Sequence, residues 1–299
     1  MQINFMKPRK IASMLSIIMI LISLGSLTFR GLDLGLDFTG GTLIEIQLSK
    51  PTDLEQIREV LGLKLDDDFQ VSYFGSEQDV LIKIPGGSEN NLSDEIVSSL
   101  NESFQFDLRR KDFIGPQIGE ELRDQGGLGL LAALLVMMAY IMFRFQFKFA
   151  IGALLALVHD VVIVLGVFSV FYIGFNLTVL AALLAVIGYS LNDTIVVSDR
   201  IRENYRKKRK SDNIDVINRS LNQMLGRTLI TSLTTLLVLF ALLILGGDFI
   251  QNFAIALICG VVIGTYSSIY VLCNNLILMN LNFEDLAIKK SEQFEDGMP

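Results

Sequence analysis

The chain is poor in the side chains that most often carry enzyme chemistry or covalent cross-links. Its 299 residues include a single histidine, His159, and two cysteines, Cys259 and Cys273. Both cysteines fall in one apolar segment, where a helical rise of about 1.5 Å per residue places them far beyond disulfide reach. No His-Glu-x-x-His zinc motif occurs. Positive charge is also scarce, and the net charge of -7 argues against a nucleic-acid-binding protein.

Long apolar segments, by contrast, are abundant. The composition is 51% hydrophobic and the mean hydropathy is +0.50. Six segments approach the roughly 20 residues that cross a bilayer as a helix. They are 11–29, 128–143, 149–173, 177–197, 228–245 and 253–276. The sequence therefore predicts a polytopic α-helical membrane protein with six transmembrane helices, of which we expect the first to be an uncleaved signal anchor.

Basic residues in the connections predict the orientation. Clusters of Lys and Arg precede the first span, join the second to the third and follow the fourth, whereas the segments 174–176 and 246–252 have none. Under the positive-inside rule both termini are cytoplasmic. We expect a cytoplasmic N-terminus and first helix at 1–29, an external domain at 30–127, a five-helix bundle at 128–279 with a cytoplasmic basic loop at 199–227, and a cytoplasmic tail at 280–299.

The external segment has the periodicity of a small soluble domain. The predicted elements are a strand at 42–48, a helix at 52–62, strands at 69–74 and 80–84, a helix at 91–103 and a strand at 104–113. This β-α-β-β-α-β order is the ferredoxin-like α+β motif, which hosts many unrelated functions. The domain contains no His and no Cys. We therefore assign it to binding or coupling.

Two glycine-containing segments flank this domain. Residues 35–41 lack the Lys and the following helix of a phosphate loop, so a tight turn with φ above zero leading into a strand is the better interpretation. Residues 114–122 fit either a hinge between domain and membrane or a plain connector. The residues predicted to have hinge or structural roles are Asp37, Gly40, Gly41, Gly115, Pro116 and Gly119.

Asp193 is the leading functional candidate because it lies within an apolar run, 177–197. A central Asp costs roughly 2.5 to 3.5 kcal/mol on insertion scales, so such a residue is usually protonated, paired or exposed to a wet cavity. Arg227 opens the fifth span and could reach toward it. A cation that approaches or leaves a buried carboxylate changes its affinity for a proton, so the two residues could form a proton switch. A fixed pair that only sets helix packing is the alternative.

Further polar residues lie at membrane depth. The third and fourth spans are antiparallel neighbours because few residues join them, and Asp160 and Asp193 both fall near mid-depth. For His159, the sequence is equally compatible with a packing role and with a role in proton relay. For Asp160, it leaves open a structural hydrogen-bonding role and a role in proton relay. The residues interpreted as supporting polar positions are His159, Asp160, Ser190 and Asp199.

The segment Gly188 to Glu203 closely resembles the signature of the SecF branch of the SecD/SecF family. Segments 35–41 and 114–122, the pair His159-Asp160 and the triplet Arg227-Thr228-Leu229 match the same family in the same order. In that family, the aspartate of the Asn-Asp-Thr motif and the arginine of the Arg-Thr-Leu motif belong to the proton pathway. The resemblance therefore implies proton-relay roles for Asn192, Asp193, Thr194 and Arg227.

The resemblance also implies a subunit of the resistance-nodulation-division type in the bacterial inner membrane, with its external domain in the periplasm. The implied partners are SecD, the SecYEG channel, a small accessory membrane subunit YajC, unfolded preprotein and protons, with no cofactor or metal. The implied function is preprotein export driven by the proton-motive force. The alternatives are half of a proton-driven small-molecule exporter and a structural scaffold of the translocon. An intramembrane protease is disfavoured because no Ser-His pair lies at suitable depth, so we expect no enzyme.

Overall fold

The structure is a computed structural model that describes residues 3–63, 69–74, 76–85, 90–207 and 212–281. Most of the tail predicted at 280–299 lies outside these ranges. The elements, in chain order, are α1 (Arg9–Phe29), α2 (Leu36–Thr39), β1 (Gly41–Leu48), α3 (Leu54–Gly62), β2 (Gln70–Phe74), β3 (Ser76–Pro85), α4 (Asn90–Ser103), β4 (Phe106–Ile114), α5 (Pro116–Arg144), α6 (Phe147–Phe171), α7 (Leu177–Lys207), α8 (Asn213–Leu245) and α9 (Asp248–Leu278).

Six helices, α1 and α5 to α9, are long and apolar enough to cross a membrane, which confirms the predicted number. Three of them extend well beyond the apolar runs, since α5 begins at Pro116, α7 continues to Lys207 and α8 begins at Asn213. Hydropathy marks only the residues that lie in hydrocarbon, whereas helical hydrogen bonding continues into polar sequence. Residues 116–127 therefore belong to a membrane helix, and much of the connection predicted as a loop at 199–227 is helical.

The four strands form an antiparallel sheet in the order β2-β3-β1-β4. Ile44 of β1 is paired with Ile82 of β3. Alternate residues of the strands, such as Ile44 and Ile46, are fully buried and pack with Ile57 of α3 and Leu100 of α4. Strand side chains alternate between the two faces, so one face becomes the core of the domain. This arrangement confirms the predicted ferredoxin-like fold.

The N-terminus of α3 shows how local sequence starts an element. The Asp53 side chain accepts a hydrogen bond from the Glu55 N–H at 3.2 Å, and Asp53 is the residue that precedes the helix. Asp is a favoured N-cap because its carboxylate satisfies an amide that has no partner within the helix. Ile57 and Leu61 then lie one turn apart and face the sheet.

The centre of the membrane bundle consists of α6, α7 and α9. A Cβ atom added to Gly260 would lie 2.1 Å from Val186 Cγ2, and one added to Gly264 would lie 3.1 Å from Ser190 Cβ. Small residues thus let α9 approach α7 closely. By contrast, in the most apolar 18-residue stretch of each helix, only 6% of the residues of α5 and 17% of those of α8 are buried, against 56% in both α6 and α7. Helices α5 and α8 are therefore peripheral.

Candidate functional site

Asp160 is the centre of a buried polar cluster that joins three helices. It lies on α6 and is 0% exposed. Its Oδ2 accepts hydrogen bonds from Ser190 Oγ of α7 at 2.5 Å and from Ser267 Oγ of α9 at 2.7 Å. Its Oδ1 lies 2.8 Å from His159 Nδ1. Both oxygens of the Asp160 side chain therefore have hydrogen-bonding partners. Such partners offset the cost of burying a polar group in a low-dielectric interior.

His159 connects this cluster to α1. Its ring stacks on Tyr266 of α9 with a centroid separation of 6.2 Å. The Tyr266 hydroxyl donates a hydrogen bond to the backbone oxygen of Ala12 at 2.6 Å and lies 3.0 Å from Ser16 Oγ. His159 Nε2 is buried without a partner among the described residues. The cluster therefore reaches the first helix and keeps one unused polar atom on the imidazole.

Asp193 lies three residues beyond Ser190, on the same side of α7. It is 5% exposed, and its Oδ2 is buried without a hydrogen-bond partner among the described residues. Arg227 of α8 is close enough to interact electrostatically with Asp193, but no ion pair joins the two described side chains. The direct pair that the sequence suggested is therefore not formed in this structure. The reason is that Arg227 is exposed on a peripheral helix.

The two residues that flank Asp193 point in different directions. Thr194 is 1% exposed and belongs to the interior of the bundle. Asn192 is exposed, on the face of α7 that this chain leaves uncovered. The hydroxyl-rich turn after Arg227 contacts α9, since Ser232 Oγ lies 2.7 Å from Thr265 Oγ1 of that helix.

The sequence interpretation did not identify Ser267 or Tyr266. Both interrupt an otherwise apolar run in α9, which is the signal that could have drawn attention to them. A hydroxyl at membrane depth is a hydrogen-bonding group with few partners available. Asp199, predicted as a supporting residue, lies instead at the polar end of α7, where it binds Arg144 and Arg202.

The glycine-containing segment before β1 forms the predicted turn. Gly40 and Gly41 have φ values of +69° and +140° and lead directly into the strand. A Cβ atom added to Gly119 of α5 would lie 2.6 Å from the Gly40 backbone nitrogen. The absence of a side chain at Gly119 therefore allows α5 to pack backbone to backbone against this turn. Gly115 and Pro116 form the N-cap and first residue of α5.

The same segment holds the start of α7. Asp37 Oδ2 accepts a hydrogen bond from the Leu177 N–H, the first of that helix, at 2.9 Å. Phe38 stacks on Phe175 with a centroid separation of 5.9 Å. A carboxylate at a helix N-terminus satisfies a free amide and complements the helix dipole. The helix that carries Asp193 is thus fixed at its N-terminal end by the segment that begins the ferredoxin-like domain.

Backbone hydrogen bonds reinforce this junction. The Gly35 N–H donates to the Phe175 oxygen at 2.8 Å, and the Phe175 N–H donates to the Asp33 oxygen at 2.6 Å. Burial raises the pKa of the Asp33 carboxyl above its usual value, and the nearby charge of Lys83 opposes this effect only in part. Asp33 therefore binds a proton more readily than a free aspartate.

Replacing Asp37 by Ala is expected to loosen the N-terminal end of α7. Loss of a helix-capping carboxylate typically costs about 1 kcal/mol, so amide exchange at 177–180 should accelerate about fivefold. Hydrogen exchange read by mass spectrometry measures this directly. Thr39→Ala is the matched control, since among the described residues the Thr39 hydroxyl bonds only to backbone oxygens of its own turn. Unchanged exchange at 177–180 in the Asp37 variant would mean that the contact does not hold the helix.

Comparison with known proteins identifies the family to which this architecture belongs. Six membrane helices around a buried carboxylate, with a ferredoxin-like domain between the first two, define a polytopic α-helical membrane protein with one small α+β domain. Residues 95–282 match the family "Protein export membrane protein SecD/SecF, C-terminal", and residues 25–52 match the "SecD/SecF GG Motif". The chain belongs to the SecD/SecF family of protein-export membrane proteins.

Full-length relatives specify the branch of the family. The chain is 48% identical to the protein translocase subunit SecF of Pseudomonas aeruginosa, over 99% of this chain and 98% of that protein. It is 44% identical to SecF of Vibrio alginolyticus, over 99% and 97%. This near-complete overlap places the family motifs and all six membrane helices within the aligned region. The recognition of a SecF-type sequence is therefore confirmed.

Solved structures confirm the fold. SecDF, a translocon-associated membrane protein from Thermus thermophilus, matches with a TM-score of 0.86 and 35% identity, over 94% of this chain and 39% of that one. A second SecDF structure, in the super-membrane-facing form, matches with a TM-score of 0.71 and 34% identity over the same shares. The chain thus spans about two-fifths of the length of the SecDF proteins.

Proposed function

We propose that this chain is the SecF subunit of the Sec export machinery and that, together with SecD, it uses the proton-motive force to drive preprotein translocation across the bacterial inner membrane. The observation that carries this proposal is the placement of Asp193. Its carboxylate is buried at the centre of the bundle, and its Oδ2 has no hydrogen-bond partner among the described residues. The same helix is bonded at its outer end to the segment that enters the external domain.

Proton uptake at Asp193 would change the balance of charge between α7 and α8. An ionised Asp193 attracts Arg227, whereas a protonated one does not, so protonation weakens the electrostatic link between these helices. Asn192 and Thr194 flank the carboxylate and are proposed to assist proton transfer. Each proton supplies about 2.3 kcal/mol per 100 mV, and full reversal of a two-state equilibrium needs about 5.5 kcal/mol. Two protons at 100 mV supply about 4.6 kcal/mol, and a pH gradient of one unit adds about 1.4 kcal/mol for each, so two protons per cycle are sufficient.

Movement of α7 would reach the external domain through Asp37 and the turn at Gly40. Because α5 packs against that turn at Gly119, a shift of α7 relative to α5 would alter the angle at which the domain leaves the membrane. The two SecDF structures match this chain to different extents, with TM-scores of 0.86 and 0.71, which supports a family that adopts more than one arrangement. The external ferredoxin-like domain is proposed to hold emerging preprotein.

The proposed partners follow from the surfaces that this chain leaves uncovered. Helix α8 buries little of its apolar surface within the described chain, and Asn192 of α7 faces outward. The SecDF proteins are more than twice as long as this chain, which supports SecD as the subunit that covers these faces. The SecYEG channel and YajC are proposed as further partners. The basic connections support cytoplasmic termini and a periplasmic domain at 30–127.

A transport role rather than an enzymatic one agrees with the relatives, which are translocase subunits. One observation favours a partly structural role as well. Asp160 has both of its oxygens bonded to neighbouring groups on three helices, which is the arrangement expected of a residue that fixes packing. We therefore assign proton uptake to Asp193 and helix positioning to Asp160, with His159 and Ser190 as its partners.

Inverted membrane vesicles test the proposal. Vesicles that lack this chain should complete preprotein export several-fold more slowly than vesicles in which it is restored, and an uncoupler should remove the difference. A benefit of restoration that survives the uncoupler would indicate a scaffold. Transport of small dyes without any effect on preprotein would indicate an exporter.

A further inference from the structure

A charged cleft of about 470 Å³ lies where the end of α5 meets the polar end of α7. It is far along α7 from the cluster around Asp160 and uses none of its residues. Four basic and two acidic side chains form its walls. They are Arg144, Asp199, Arg202, Glu203, Arg206 and Lys207.

The carboxylates of the cleft do not neutralise its cations. Asp199 binds both Arg202, at 2.7 Å, and Arg144, at 3.3 Å, so one negative charge lies against two guanidinium groups. Glu203 is occupied by Lys207 at 2.6 Å and is also bonded to Arg200 outside the cleft. Arg206 forms no ion pair with any residue in the described part of the chain. The cleft therefore keeps an excess of positive charge.

Two of the guanidinium groups are held in place by an aromatic ring. The Cζ atoms of Arg144 and Arg202 lie 5.1 and 5.6 Å from the ring centroid of Phe145. Phe145 is itself buried, which fixes the ring. Stacked guanidinium groups lose little freedom when they bind, and their planar donors match phosphate oxygens. The cleft is thus preorganised for a phosphate group.

An apolar surface adjoins the cleft. Phe143 and Phe147 are 94% and 74% exposed on either side of the buried Phe145. The apolar length of α5 that leads away from them is also almost uncovered within the described chain. A ligand with a phosphate at one end and hydrocarbon at the other would satisfy both surfaces.

We propose that this cleft binds the headgroup of an anionic phospholipid, whose acyl chains lie along α5. A zwitterionic headgroup fits less well because its cationic part would need a free carboxylate, and both carboxylates of the cleft are already paired. Basic clefts between helix ends at the membrane surface are suited to such headgroups. Since the cleft includes the extension of α7, a bound lipid would tie α5 to the helix that carries Asp193.

Native mass spectrometry of the full chain in a neutral detergent tests this site. Phosphatidylglycerol is the probe, with phosphatidylcholine and inorganic phosphate as comparison ligands. Each basic residue near a membrane surface contributes about a fivefold change in affinity for anionic lipid. We expect Arg206→Gln and Arg144→Gln each to weaken phosphatidylglycerol binding about fivefold, and the double variant about 25-fold. Arg219→Gln, which removes an exposed charge on α8, should leave binding unchanged.

The comparison ligands distinguish the source of the phosphate. Wild-type chain should retain phosphatidylglycerol at least fivefold better than phosphatidylcholine, and millimolar inorganic phosphate should not displace it. Equal retention of the two lipids would overturn the proposal, as would full displacement by inorganic phosphate, which would indicate a simple anion site. Arg206→Lys keeps the charge and should restore binding. Loss of binding in Arg219→Gln equal to that in Arg206→Gln would show that only the overall charge matters.

Discussion

Asp193→Asn is expected to abolish the proton-driven part of preprotein export while the chain stays folded in the membrane. Asparagine has nearly the shape of aspartate but cannot take up or release a proton, so the switch is locked in one state. Asp193 Oδ2 has no hydrogen-bond partner among the described residues, so the change in the free energy of unfolding should be below about 1 kcal/mol. The proton-stimulated export rate in vesicles should fall at least tenfold, or about 1.4 kcal/mol in activation free energy.

Two variants serve as controls for this measurement. Asp215→Asn makes the same chemical change at an exposed position in the first turn of α8 and should leave export within about twofold of wild type. Asp193→Glu keeps a titratable group and should retain part of the stimulation. Normal proton-stimulated export by Asp193→Asn would remove Asp193 from the proton pathway. The scaffold role would then become the better interpretation.

The outline of the fold could be predicted because its driving forces are local in sequence. Apolar length marks the membrane helices. A period of two or 3.6 residues marks the strands and helices of the ferredoxin-like domain, because one face of each element meets water and the other meets the core. The ends of the membrane helices were harder to predict from the sequence. The first turns of α5, which begins at Pro116, consist mainly of polar residues that hydropathy does not register, although Pro at the first helical position is a recognised start signal.

The buried cluster could be predicted only in part because it depends on which faces of the membrane helices meet. Ser190 and Ser267 lie 30 and 107 residues from Asp160 along the chain. In a soluble helix the polar face identifies the exposed side, but in a membrane both the lipid-facing and the buried sides are apolar. The sequence therefore identified the costly residues Asp160 and Asp193. It did not reveal that Asp160 is saturated with partners and that Asp193 is separate from Arg227.

This difference between the two carboxylates has a measurable consequence at Asp160. Asp160→Ala is expected to destabilise the chain severely, because it leaves the hydroxyls of Ser190 and Ser267 and the ring of His159 without their shared acceptor. Breaking a buried charged network by removing one partner costs about 3–5 kcal/mol. The melting temperature in detergent should fall by about 10 °C. Ser268→Ala is the matched control, since within the described part of the chain that buried hydroxyl bonds only to its own helix. It should lower the melting temperature by a few degrees at most.

Asp160→Asn separates a positioning role from a proton-transfer role. The amide keeps one oxygen that can accept from a serine hydroxyl, so the loss of stability should be well below that of the alanine variant. Because we assign Asp160 to helix positioning, the folded fraction should keep proton-stimulated export within about twofold of wild type. Asp160→Asn would then be less stable but active, whereas Asp193→Asn would be stable but inactive. If Asp160→Asn instead folds normally and loses the stimulation, protons pass through Asp160, and Ser190 and Ser267 become part of their route.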